Sequence, residues 1–393
     1  MLSPLYLYSM LGLCPCRFLL PLVLAGLGAL AQSQTNPILT RAEHLRTQHK
    51  PEEAAALLRP YIEQHSDDTA ALILLGNTLL DLHQAEEAGQ AFAHVLAAEP
   101  NSIPANLAVG ILLLSQHRDP EAMDRFETIL AQDSHHAAAR KGEVAAATEL
   151  AVSSRRDNHP DLALAALRHA CEKLPDSPEL QLDRGLQALE LNQFAEADEA
   201  LHTAQKLAPA NPTILYALAR LETAQQHMPQ AERDYKAYLA AHPNDATAHF
   251  GLGYIYVALL RTEDARREFE ASIRLQPQQT ESYYQLGQLA LEAHHDEEAR
   301  PLFERVLARD PNHAGALTGL GELSFHNKDY TTAEQLFAHA EKSDPTYTRP
   351  HYYRGLSLAR LGRNEEAQQE LQQSDGRQHA TAPTQTNTPQ PPP

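Results

Sequence analysis

Residues 280–347 read TESYYQLGQLALEAHHDEEARPLFERVLARDPNH and then AGALTGLGELSFHNKDYTTAEQLFAHAEKSDPTY. Set one under the other, the two halves match at a spacing of 34 residues, with Gly287 over Gly321, Ala299 over Ala333, Phe303 over Phe337 and Pro311 over Pro345. A fixed period of that length is the signature of a repeat array. Within each half the apolar residues recur at three and four, the spacing of an amphipathic helix. Leu286, Leu289 and Ala290 mark a first helix, and Ala299, Leu302, Phe303 and Val306 a second. Each unit is therefore a helical hairpin whose apolar face is too large to bury alone, so hairpins must stack on one another.

The period extends outward from this stretch over most of the chain. Units begin at Thr35, Thr69, Ile103, Ala137, Pro178, Pro212, Ala246, Thr280, Ala314 and Thr348, giving ten hairpins in an all-α chain. The fourth is longer by seven residues, around Leu150–Arg156. Seven residues make about two helical turns, which favours a longer first helix over an extended loop. The eighth position is small (Ala42, Gly76, Gly110, Gly185, Ala219, Gly253, Gly287, Gly321, Gly355), and the twentieth is Ala in every unit, from Ala54 to Ala367. Such residues are expected where the two helices of a hairpin cross. The twenty-fourth is bulky (Leu58, Phe92, Phe126, Leu167, Leu201, Tyr235, Phe269, Phe303, Phe337, Leu371) and is expected to fill the space between hairpins. Pro100, Pro175, Pro209, Pro243, Pro277, Pro311 and Pro345 stop the second helices. Asp119-Pro120 reads as an N-cap followed by proline at the first helical position. Pro60 predicts a bent or frayed second helix in the first unit, and Pro301 a milder distortion.

This pattern of small, small, bulky and proline positions resembles the tetratricopeptide repeat family over residues 35–374. The resemblance implies a right-handed superhelical solenoid of antiparallel hairpins, with a concave groove lined by the first helices. It further implies a non-catalytic scaffold that binds a protein or peptide partner. Groove positions two, five, nine and twelve supply the candidate binding residues Ile73, Asn77, Leu107, Ile111, Leu182, Leu186, Tyr216, Arg220, Phe250, Tyr254, Tyr284, Gln288, Phe325 and Tyr352. So apolar and aromatic a surface is expected to take an extended or helical segment. The family's clamp for C-terminal carboxylates uses Lys, Asn and Arg, and only Asn77 matches it.

The ends differ from the array. Residues 1–31 hold no acidic residue, one Arg17, and an apolar run of 14 residues closing on Ala29-Leu30-Ala31. A signal peptide cleaved before Gln32 is expected, since a spanning helix needs about 20 apolar residues. The alternative is an uncleaved anchor in the inner membrane, holding the scaffold in a secretion or envelope-assembly complex. Abundant Ala and scarce Lys suggest a GC-rich bacterial genome, hence a periplasmic or secreted protein. Residues 375–393, rich in Pro, Thr and Gln, are expected to be disordered.

Thirty-two Lys and Arg against 51 Asp and Glu give a net charge of −19, which argues against nucleic acid and anionic lipid as partners. No catalytic motif is present, and Gly251-Leu-Gly253 and Gly319-Leu-Gly321 follow no strand, so they are not a phosphate loop. Cys171 reads as a buried packing residue. The turn histidines His83, His117, His227, His294 and His295 lie on hairpins about 10 Å apart, too far to share an ion. Neither cofactor nor metal is therefore expected, and a metal-binding or enzymatic role for the His-rich turns is the rival reading.

Overall fold

The computed structural model describes residues 36–380, all of whose regular elements are α-helices. The leader, residues 1–31, and the tail beyond Ala380 lie outside the described residues. Among those described, no helix is long and apolar enough to cross a membrane.

The described helices form hairpins in the register that the period predicts. The first five are α1 Pro37–Thr47 with α2 Pro51–Gln64, α3 Thr69–Asp81 with α4 Ala85–Ala98, α5 Ile103–Ser115 with α6 Asp119–Leu130, α7 Ala137–Arg156 with α8 Pro160–Lys173, and α9 Pro178–Glu190 with α10 Phe194–Leu207. The others are α11 Pro212–Ala224 with α12 Met228–Ala241, α13 Ala246–Ala258 with α14 Thr262–Leu275, α15 Thr280–Glu292 with α16 Asp296–Leu307, α17 Ala314–His326 with α18 Tyr330–Ser343, and α19 Arg349–Arg360 with α20 Asn364–Ala380. The chain divides into two compact units, residues 2–214 and 215–393, the boundary falling within α11.

A single aromatic side chain explains the spacing within and between hairpins. Phe303 on α16 is fully buried. A Cβ added to Gly287, on α15 of its own hairpin, would lie 2.7 Å from the ring, and one added to Gly319, on α17 of the next hairpin, would lie 2.5 Å away. The ring is thus a wedge held in a slot whose two walls are bare backbone. Phe126 stands in the same way between Gly110 and Gly142. The invariant alanines Ala88, Ala122, Ala163, Ala197, Ala231, Ala265, Ala299 and Ala333 are all fully buried beside these wedges.

The hairpin turn repeats as exactly as the wedge. Its middle residue takes a positive φ in each hairpin: His49, His83, His117, Asn158 and Asn192 in the first unit, and Gln226, Leu260, His294, Lys328 and Gly362 in the second. At His83 the hydrogen bonds explain why. Its amide donates to the Leu80 carbonyl at 3.0 Å, and the Gln84 amide donates to the Leu79 carbonyl at 2.8 Å. This pair closes a helix on a left-handed residue. His and Asn tolerate that conformation better than most side chains, so the histidines stand at these turns for backbone reasons.

Four local expectations have their outcome here. The seven extra residues of the fourth unit do extend its first helix, α7, to 20 residues. Asp119 is not the N-cap of α6: Arg118 holds that position, and Asp119 is the first helical residue, buried to 4% exposure. Pro60 lies inside α2, yet the helix runs on to Gln64 without fraying. At the other end α20 continues to Ala380, past Ser374 where the repeat pattern stops.

Two substitutions probe this architecture. Gly319→Ala drives a methyl into the Phe303 ring, and a loss of about 1–3 kcal/mol is expected by urea denaturation. Gly89→Ala, whose Cβ would meet only Leu112 at 3.9 Å, should instead be neutral or stabilising. Leu260, at φ 59 and 89% exposed, gains nothing from its position. Leu260→Asn should therefore raise stability by about 1 kcal/mol, seen as a higher melting temperature.

Candidate partner-binding site

The first helices present positions five, nine and twelve of each unit on one face, and the two compact units use them differently. In the first unit Ile73, Leu107, Ile111 and Leu186 are half-buried, while Asn77 and Leu182 are buried. Across α1, α3 and α5 this face opens into a depression of about 970 Å³. It is lined by Glu43, Arg46, Asn77, Leu80, Asp81 and Ile111, with Ala108 and Leu112 beside them and His49, His83 and Ser115 toward the turns. Asn77 and Ile111 are the two candidate residues that the structure brings into this one concavity.

Its polar side is organised by Arg46, only 9% exposed. The Arg46 Nε donates to Asp81 Oδ2 at 2.8 Å, and Nη1 donates to Glu43 Oε2 at 3.1 Å. One guanidinium thereby ties α1 to α3 and fixes two carboxylates beside the apolar lining of Leu80, Ala108, Ile111 and Leu112. A buried Arg between two acids is held in a fixed geometry by its planar fork.

In the second unit the same positions are largely closed by aromatic packing. Phe250 is 1% exposed, its ring 5.7 Å from that of Phe269, and Tyr254 is 6% exposed. Both belong to the core and not to an open groove, which corrects the expectation from the sequence. Tyr216 packs edge-on to Tyr235 at 5.9 Å and beside Tyr238 at 5.0 Å. Tyr284 lies 6.2 Å from Phe303 and 4.9 Å from His313, and burial holds its hydroxyl well above its ordinary pKa. Phe325 packs between Tyr330 and Tyr353. Arg220 and Gln288 are half-buried, and Tyr352 alone of the aromatic candidates is exposed, at 45%.

The physical reason is a spacing. A residue at position five stands 19 residues before the wedge of its own hairpin, as Tyr216 does before Tyr235, Phe250 before Phe269 and Tyr284 before Phe303. In these three hairpins the ring at position five reaches the aromatic wedge and packs on it. This 19-residue aromatic pairing is visible in the sequence and would have marked these residues as packed against their wedges.

Family models described as tetratricopeptide repeat match residues 45–109, 182–229, 216–280 and 284–348, more than half of the chain. The chain belongs to the tetratricopeptide repeat family. Among solved structures, PilF of Pseudomonas aeruginosa is 17% identical, covering 55% of this chain and 99% of its own, with a TM-score of 0.50. A tetratricopeptide repeat protein of Parabacteroides merdae is also 17% identical, covering 60% of this chain and 93% of its own, with a TM-score of 0.49. At such identity the likeness concerns the fold. No curated protein matches the chain. As a tetratricopeptide repeat protein the chain is a protein–protein interaction scaffold.

Two further titratable groups of the tetratricopeptide repeat array stand apart from this face. Cys171 is buried, and burial pushes its thiol up to about 11, so it stays protonated and unreactive at neutral pH. Glu143 on α7 is fully buried, and neither of its carboxylate oxygens has a hydrogen-bond partner. Burial first, then the charges of Glu127 and Asp124, push its pKa up to about 8, with Lys173 pulling the other way. Sequence periodicity marks Glu143 only as one polar residue on an Ala-rich helix, and gives no sign of its burial.

The folded state therefore holds a proton on Glu143 that the unfolded chain releases near pH 4.5. The resulting stability is complete below that pH and is lost as pH rises toward 8. By pH 7 the loss amounts to on the order of 3 kcal/mol. Glu143→Gln should remove this pH dependence and stabilise the protein at pH 8, which denaturation at pH 5 and pH 8 would measure. A wild-type stability that stays flat across this range would show that the carboxyl is solvated.

Proposed function

We propose that the scaffold takes an extended or helical segment of a protein partner over the depression on α1, α3 and α5. The supporting observation is that concavity of about 970 Å³. It combines an apolar lining of Leu80, Ala108, Ile111 and Leu112 with two carboxylates held by Arg46. Apolar anchors seated among a few fixed polar groups are what a peptide site needs. The aromatic candidates of the second unit, other than Tyr352, contribute packing in this reading.

Leu80→Glu and Ile111→Glu place charge on the lining without entering the fully buried core. Crosslinking of the native protein followed by mass spectrometry should map partner peptides to α1, α3 and α5. In the double variant capture should fall by about tenfold or more while helical circular dichroism is unchanged. Tyr352→Ser, on the second unit, should leave capture intact. Undiminished crosslinks in the double variant would move the site elsewhere.

We also propose that the scaffold acts outside the cytoplasm, as a periplasmic or secreted protein. The composition of residues 1–31 supports this, with an apolar run closed by Ala29-Leu30-Ala31. N-terminal sequencing of the natural protein should begin at Gln32. A chain found intact in the inner membrane would favour the anchored form, serving a secretion or envelope-assembly machine.

A further inference from the structure

Three consecutive helices of the second unit converge on one small cluster, in which a His–Glu pair like that of His249 and Glu268 gains a second carboxylate. Glu341 lies on α18, His351 on α19 and Glu370 on α20. His351 is 6% exposed, and the two carboxylate side chains are 11% and 14% exposed. One donor atom from each residue can be chosen so that all three lie within 4.8 Å of one another.

The arrangement leaves one acceptor too many. His351 Nδ1 lies 2.7 Å from Glu370 Oε2 and 3.2 Å from Glu341 Oε1. A ring nitrogen carries a single hydrogen. That hydrogen serves the Glu370 oxygen, and Glu341 Oε1 remains buried without a well-formed hydrogen bond. The outer oxygens are already taken: Arg354 Nη1 donates to Glu341 Oε2 at 2.6 Å and to Glu370 Oε1 at 2.8 Å. Arg354 thus turns both carboxylates so that their inner oxygens face the imidazole, the part played by groups that orient metal ligands from behind.

The charges around the cluster point the same way. Glu334, Glu341 and Glu370 face Arg354, while Arg363, 3.8 Å from Glu334, pairs at 2.5 Å with Glu366, so carboxylates outnumber the guanidinium groups. We propose that Glu341, His351 and Glu370 form a zinc site, with Nδ1 of His351 and one oxygen of each carboxylate as ligands and water as the fourth. Zinc takes imidazole nitrogen and carboxylate oxygen at about 2.0–2.2 Å in a tetrahedron, which sets ligand atoms a little over 3 Å apart. The separations of 2.7 and 3.2 Å would open, and that between the two carboxylate oxygens, within 4.8 Å, would adjust toward the same value. A single nitrogen among hard oxygens favours a transition ion over magnesium or calcium. Binding replaces the shared proton and couples α18, α19 and α20 at the C-terminal end of the repeat.

Purified full-length protein, freed of metal, would be titrated with Zn²⁺ by calorimetry and with Co²⁺ by visible absorption. About one equivalent should bind, with a rise in melting temperature and a Co²⁺ spectrum of four-coordinate intensity. Glu341→Gln, which keeps shape and Arg354 contact, should weaken binding by about tenfold or more. His351→Gln should abolish the Co²⁺ band, while His294→Asn at an exposed turn should leave both readouts unchanged. Absence of saturable binding by the wild-type chain overturns the proposal. So does a Co²⁺ band that persists in His351→Gln.

Discussion

The array depends on contact between an aromatic or leucine side chain and the bare backbone of the helices beside it. At Phe303 the ring has Gly287 on one side and Gly319 on the other, both closer than any Cβ tolerates. Such a contact fixes two distances at once, that between the helices of one hairpin and that to the next hairpin. Interiors pack at crystal-like density, so a wedge of fixed size in a slot of fixed width leaves no slack to absorb. Where the wedge is smaller, as at Leu201 against Gly185, the glycine partner is kept and the wedge contact stays as close. Each repeat contacts chiefly its neighbours, and the chain is stabilised link by link.

The wedge also decides which faces remain available. Position five sits within reach of it, so the residue chosen there closes or opens the first-helix face. In the first unit that residue is Ile73 or Leu107, both half-buried, and the depression lined by Asn77, Leu80 and Ile111 survives beside them. In the second unit Phe250 and Tyr284 lie against their wedges and fill the corresponding space. A surface that looks more aromatic in sequence is therefore less exposed in the fold. The affinity of large rings for one another outweighs their usefulness as binding anchors here.

The fold was legible because its determinants are local and periodic. Gly287, Ala299, Phe303 and Pro311 recur one period on, and each carries a single steric meaning that does not depend on distant context. The site was legible only in part. Asn77 and Ile111, both at position nine, line one depression, although Asn77 is itself buried. Phe250 and Tyr254 were not legible as core, because their burial depends on a partner 19 residues away or on a neighbouring hairpin. Glu143 and the Glu341–His351–Glu370 cluster were beyond reach for a different reason. Their character comes from burial and from atoms meeting across three helices, and a linear pattern encodes neither.

The turn residues show how one constraint can imitate another. A row of histidines along one edge invites a chemical reading, yet His49, His83, His117 and His294 share a positive φ with Asn158, Asn192, Gln226, Leu260, Lys328 and Gly362. What selects the position is a backbone that closes one helix and opens the next. Histidine is merely among the side chains that accept it. His351 has a different environment, since it lies within a helix, is buried, and meets two carboxylates instead of solvent. Burial with directed partners separates a ligand candidate from a tolerated turn residue, and it does so where abundance in the sequence points the other way.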